Sequence, residues 1–212
     1  MNRYILRFYK HGNMRFISHL DLQTLFQRAI KRGDVKVAYS NGFNPHELMN
    51  IVQPLSLGFE AEEELLELDT LIHYEPENLI QRLNLALPDG IAFTACEECE
   101  RKNQATSCPT ESAEYNVIFN EDISGLKITE FLAQDVINVL KRDKKTKTLI
   151  DKDVKNLIKE IRRDGNSLYL HLSCASNATV NPTAVLTSLF EFSGFEFKQE
   201  CCRVCRIKLN RK

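Results

Sequence analysis

The chain predicts a mixed α+β fold in two successive halves, and three observations carry the prediction. Segments of alternating apolar residues interleave with segments whose apolar residues recur every three or four positions; the order strand, helix, strand, strand, helix, strand occurs twice; and a polar stretch without periodicity separates the two occurrences.

The opening "RYILRFYK" puts Tyr4, Leu6 and Phe8 on one alternating face, the period of a half-buried strand. Leu22, Leu25, Phe26, Ala29 and Ile30 then define one face of a helix from about Ser18 to Arg32, stopped by Gly33. "VKVAYS" at residues 35–40 reads as a short extra strand or turn, and "NGFNPH" as a turn. In "MNIVQPLSLG" Met49, Ile51, Leu55 and Leu57 alternate, and "EELLELDTLI" follows as the second strand of a hairpin. Pro76 opens a helix carrying Leu79, Ile80, Leu83 and Leu87, because a proline in the first turn forfeits no helical hydrogen bond. "IAFTACEE" closes the half as a strand.

Residues 100–112, "ERKNQATSCPTES", are polar and read as a linker. "AEYNVIFN" is a strand, and "KITEFLAQDVINVLKR" reads as one helix with Ile128, Phe131, Leu132, Val136, Val139 and Leu140 on its apolar side. "TKTLIDKDVKNLIKEIRR" fits strand or helix, "NSLYLHLSC" is a strand, "NPTAVLTSLFEF" a helix starting at Asn181 and Pro182, and "FKQECCRVCRIKLN" a last strand. Two such orders imply two tandem ferredoxin-like (βαββαβ) antiparallel sandwiches, over residues 1–99 and 113–212.

At 43% hydrophobic and 27% charged residues the composition is that of a globular protein, and no apolar run approaches the roughly 18 residues of a membrane span. "MNRYILRFYKHG" carries Arg3 and Arg7 within its apolar stretch and reads as a strand and not a secretory signal, so a cytoplasmic location is expected. The formal net charge of -1 hides segregation: residues 1–43 hold eight Lys/Arg against two acids, and residues 47–100 hold thirteen acids against Arg82 alone. Basic regions of this kind suit phosphate-bearing partners.

Ser18-His19-Leu20-Asp21 combines residue types found in hydrolytic sites, but neighbours on a helix point in different directions. Ser18 with Asp21 three residues on instead reads as a helix cap. His19 begins a polar line through Gln23, Gln27 and Lys31, flanked by Arg28 and Arg32. With Arg15 and Lys10 this face reads either as a phosphate seat at a helix N-terminus or as a solvated surface. The loop Asn41-Gly42-Phe43-Asn44-Pro45-His46 is the second candidate. Its amides and imidazole offer hydrogen bonds, and Phe43 fits either stacking on a base or packing into the core.

The seven cysteines include two CxxC spacings, Cys96/Cys99 and Cys202/Cys205, about a hundred residues apart. They read as free thiols, with a shared metal as the competing reading; no metal or cofactor is expected. Cys201 and Cys205 begin a CxxxCxxC spacing that Lys208 breaks, and no P-loop, GxGxxG or HExxH occurs.

"LRFYKHGNMRFISHLDLQTLFQRAIKR", "VAYSNGFNPH", "QPLSLG" and "LNLALPDGI" together resemble the radical-SAM-linked family of bacterial proteins; Arg7, Phe8, the Ser18–Asp21 tetrad, Arg28, Gly42–His46, Pro54-Leu55 and Gly58 carry the likeness. The resemblance is strong in the first half and diffuse in the second. It implies a partner, a radical-SAM protein to which such domains are sometimes fused. Glu47-Leu48 depart from the Pro and basic residue that the family tends to have after Asn-Pro-His. The paired halves also look like CRISPR RNA-processing proteins in architecture. The leading expectation is a non-catalytic accessory module that binds RNA or presents a substrate. The alternatives are a metal-independent ribonuclease using His19 or His46, and a protein-interaction module using the acidic hairpin.

Overall fold

A computed structural model describes residues 1–100, 108–142, 148–175 and 178–211. The protein is mixed α+β, with mostly antiparallel strand pairing and four α-helices among the described residues. It divides into two compact units, Met1–Thr110 with Arg206–Lys212, and Glu111–Cys205. The middle of the expected linker, residues 101–107, lies outside the described residues, whereas Thr110–Ser112 already belong to a strand. Among the described residues, no helix is long and apolar enough to cross a membrane.

The first unit begins with β1 (Asn2–Lys10) and α1 (His19–Arg32), then β2 (Met49–Ile51), β3 (Glu60–Thr70), α2 (Pro76–Asn84) and β4 (Ile91–Cys99). β1 lies between β3 and β4, antiparallel to both, and β2 pairs antiparallel with β3. Period-two alternation sends Tyr4, Leu6 and Phe8 of β1, with Leu66 and Leu68 of β3, to one face, where they meet Leu22, Phe26 and Ile30 of α1 and Leu79 and Leu83 of α2. Phe8 packs edge-on against Phe26, ring centroids 4.9 Å apart. Residues 35–40 form no strand; Val37 and Tyr39 make single bridges to Thr70 and Glu47. β2 stops at Ile51, short of the strand expected through Leu57; Pro54, without an N–H, removes one donor that a longer ladder would need.

In the second unit the chain forms β5 (Thr110–Phe119), α3 (Ile128–Ala133), a hairpin of β6 (Asn138–Arg142) and β7 (Leu149–Asp153), β8 (Ile158–Asp164), β9 (Ser167–Ala175), β10 (Ala178–Thr179), α4 (Pro182–Ser193) and β11 (Cys202–Arg211). β9 pairs antiparallel with β5, β8 and β10. The backbone N–H of Asn120 donates to the Cys201 carbonyl, which brings the start of β11 beside the end of β5. The single helix expected from Ile128 to Leu140 is instead α3 and β6. Ile137 and Val139 are buried while Val136 and Leu140 are exposed, a period of two, and β-branched side chains favour the extended form there. α4 starts as its sequence suggests: the Asn181 side chain accepts from the Thr183 N–H, and Pro182 occupies the first turn.

The last strand, β11, ends in the first unit. Arg206 on it forms a buried pair with Glu64 of β3, its Nε donating to Oε1 at 2.5 Å and its Nη2 donating both to Oε2 and to the Gln53 carbonyl at 2.8 Å. Lys10, expected in a loop beside Arg15 at a phosphate seat, is instead the last residue of β1 and is buried alongside at 2% exposure, and desolvation there lowers its pKa from the ordinary 10.5.

Candidate functional site

The residues singled out in the sequence fall at two places along α1. At its start, the Ser18 side chain accepts the Asp21 N–H at 3.1 Å and donates its own hydroxyl to the Asp21 carboxylate at 2.7 Å. That exchange uses one orphan donor of the first turn and occupies both side chains locally. His19 is the first helical residue, and its Nδ1 is buried with no hydrogen-bond partner among the described residues. Gln23 is partly buried one turn further on.

Arg15 lies in the 3-10 turn before the helix, its guanidinium 4.6 Å from the Phe16 ring centroid and 3.9 Å from the Glu60 carboxylate. Neighbouring basic groups also meet acids of β3, His11 with Glu62 at 3.2 Å and Arg7 with Glu63 at 3.1 Å. The cationic side chains at this end already face carboxylates of the same unit. A phosphate bound here would compete with them.

The second half of α1 differs. Arg28 and Arg32 are exposed and have no acidic partner among the described residues. Glu47, at the foot of the Asn41–His46 loop, accepts from the Gln27 amide at 3.1 Å and stands 3.7 Å from the Lys31 ammonium. Gln27 and Lys31 lie eight and twelve residues past His19, about 12 and 18 Å along the axis at 1.5 Å per residue. The loop is therefore fastened beside the middle and end of the helix and not beside its capped start. Glu47 supplies that fastening.

The loop closes on itself through Ser40. The Ser40 N–H donates to the His46 carbonyl at 2.9 Å, the His46 N–H donates to the Ser40 hydroxyl at 3.1 Å, and that hydroxyl shares a 2.9 Å hydrogen bond with the His46 Nδ1. Gly42 holds φ at 126°, a region other residues resist. Asn41, Gly42, Phe43, Asn44 and His46 are all exposed. Phe43 stands clear of the protein at 112% of its reference surface, so it does not pack into the core, and Tyr39 at the loop's foot is 44% exposed. A loop closed by its own hydrogen bonds that presents an aromatic ring, amides and an imidazole, tied to a helix whose Arg28 and Arg32 have no acidic partner among the described residues, can stack on a planar ligand and hold its anionic substituents.

Sequence reasoning missed Tyr39, and although it named Lys31 and Glu47 it did not foresee that they meet; that contact joins the loop to α1, which no local spacing announces.

The cysteine spacings resolve by strand geometry. On β4, Cys96 pairs with Leu6 and packs against the core, whereas Cys99 pairs with Arg3; residues three apart on a strand point to opposite faces. Cys202 and Cys205 are likewise three apart on β11. Neither pair can grip one metal ion from a single face. Burial and neighbouring glutamates push the Cys96 thiol up to about 12.

No curated protein matches the chain. A family model matches residues 3–182, from the first residues of β1 to the first residue of α4. By that match the chain belongs to the bacterial family described as "Uncharacterized protein conserved in bacteria (DUF2344)".

Proposed function

We propose that the protein is a non-catalytic, RNA-binding accessory module, with the Asn41–His46 loop as its base-binding element and Arg28 of α1 as its phosphate contact. The observation that carries the reading is Phe43: a large apolar ring fully in solvent, on a loop closed by its own hydrogen bonds and joined through Glu47 to the helix that carries the exposed Arg28. A ring so exposed beside amides and an imidazole offers a stacking platform, and unstacked bases of single-stranded RNA are fitting ligands. A radical-SAM protein as partner rests on the sequence resemblance of the first half. Each unit is further read as a ferredoxin-like sandwich: the first has strand order β4-β1-β3 with both β2 and β11 pairing β3, and in the second the β6–β7 hairpin is an insertion.

The test is fluorescence anisotropy of a labelled eight-nucleotide single-stranded RNA across a salt series. Binding is expected to weaken with salt in proportion to the phosphates contacted, and Phe43→Ala to weaken it about tenfold, within the range of one stacked base. Absence of binding at low salt, or a Phe43→Ala variant that binds like wild type, would overturn the reading.

Strand cleavage is a second reading with one observation in its favour. His46 is oriented by Ser40 and leaves its Nε2 without a hydrogen-bond partner among the described residues, at the edge of the same surface. Intact RNA after prolonged incubation with the protein would dismiss it.

A further inference from the structure

We propose that the cleft between α1 and α2 seats the phosphates that flank the base stacked on Phe43, so that RNA crosses the outer face of α1 from the loop to the cleft. This rests on the RNA-binding reading above. The cleft has a volume of roughly 830 Å³, and Arg32, Gly33, Asn78, Gln81 and Arg82 supply its polar wall. Arg82 is held in place from within: its Nε donates to the Asn78 side-chain oxygen at 2.8 Å and its Nη1 to the Gly33 carbonyl at 3.2 Å. Its Nη2 has no hydrogen-bond partner among the described residues. Gly33 permits the close approach, since a Cβ there would lie 2.7 Å from the Arg82 carbonyl oxygen. Asp34 is the acid in the lining, and its charge is met by the Lys36 ammonium at 2.6 Å. A positioned guanidinium, a free one on Arg32 and two side-chain amides suit phosphate oxygens.

Helix geometry joins this cleft to the loop. At about 100° per residue, Gln27 and Lys31 lie within about 40° of each other on the flank that carries Glu47, and Leu25 and Arg32 lie within about 20° of each other on the flank that borders the cleft. Arg28 falls between the two flanks, about 60° from Lys31 and about 40° from Arg32. The buried residues Leu22, Phe26, Ala29 and Ile30 occupy the opposite side. Arg28 and Arg32 therefore make a cationic path over the helix, from the flank where Glu47 holds Lys31 and the loop to the flank that borders the cleft. Leu25, Leu85, Ala86, Leu87 and Pro88 form the cleft's apolar wall, and the exposed guanidinium groups leading to it along α1 fit a backbone of repeated charge.

The experiment measures uridine monophosphate, a uridine dinucleotide and an eight-nucleotide uridine RNA against wild type, Phe43→Ala, Arg32→Gln and Arg82→Gln, each across a salt series. Arg32 is exposed and carries no structural hydrogen bond among the described residues, so Arg32→Gln keeps the test sound if Arg82→Gln folds poorly. Arg32→Gln should weaken the eight-nucleotide RNA about threefold, lower its salt slope by about 0.7, and leave the dinucleotide unaffected. Phe43→Ala should weaken both RNAs. An Arg32→Gln variant with wild-type affinity and slope, while Phe43→Ala still weakens binding, overturns the cleft and leaves the RNA-binding reading standing. Monophosphate bound as tightly as the eight-nucleotide RNA, and lost in Arg32→Gln, overturns the path in favour of a small-ligand site. No RNA bound by wild type overturns both readings.

Discussion

Replacing Glu64 by Gln should unfold the first unit more readily than any single change at its surface. The side chains of Glu64 and Arg206 are 1% and 3% exposed, and the carboxylate receives two hydrogen bonds from one guanidinium. Glutamine keeps the shape but removes the negative charge, leaving Arg206 and the adjacent Lys10 as two buried cations with no anion between them. Breaking a buried pair in this way costs about 3–5 kcal/mol. At a urea dependence of about 2 kcal/mol/M, the unfolding midpoint of this unit should fall by about 2 M. Arg206→Met should cost less than Glu64→Gln, because Lys10 then remains to face the Glu64 carboxylate. The double variant Glu64→Met with Arg206→Met should regain most of the loss, since a well-packed apolar pair is often as stable as the ion pair it replaces. Urea titrations followed by circular dichroism supply the midpoints. A loss under about 1 kcal/mol for Glu64→Gln, or a double variant as unstable as the worse single one, would refute the reasoning.

Lys10 makes a prediction of opposite sign. Burial lowers its pKa in the folded protein, with Arg206 acting the same way and Glu64 against it. Between that lowered value and the ordinary 10.5, the unfolded chain holds more protons, so this residue's share of stability rises with pH and is complete above 10.5. Lys10→Met should be more stable than wild type by about 1–2 kcal/mol at pH 7, and its advantage should shrink as pH is raised toward 10; a destabilised Lys10→Met at pH 7 would show that the Glu64 charge needs both cations. With its thiol pushed up to about 12, Cys96 should resist iodoacetamide at pH 8 while a small free thiol in the same tube reacts. Peptide mapping with Cys96 labelled as fast as that thiol would contradict the burial described for it.

Local signals made much of the fold legible. Ser18, the apolar face of α1 and the Asn181-Pro182 start of α4 each rest on chemistry within one or two helical turns. Where two periods fit the same letters, the sequence was ambiguous: Val139 and Leu140 belong to a helical face or to a strand depending on whether β7 is there to pair with β6. The short β2 and the single bridges at Val37 and Tyr39 were not foreseeable, because pairing there depends on partners that lie further along the chain on β3 or across the loop, Leu66 to Leu68, Thr70 and Glu47.

The candidate site shows the same division. Capping by Ser18 and Asp21 could be read directly, and the loop residues could be named. Whether Phe43 faces solvent or the core depends on how Ser40 and His46 close the loop. Its position beside the second half of α1 depends on Glu47 reaching Gln27 and Lys31. The free cations could not be picked out either: Arg15 and Arg28 look alike in sequence, yet Glu60 faces the first and no acid faces the second among the described residues.

Photo-crosslinking of a uridine oligomer to the protein, followed by mass-spectrometric mapping of the adduct, tests the central claim most directly. The account predicts adducts concentrated on Tyr39, Phe43 and His46, lost in Phe43→Ala and competed by unlabelled RNA. Adducts elsewhere in the chain with the Asn41–His46 loop unmodified, or none above a protein of similar charge, would contradict it.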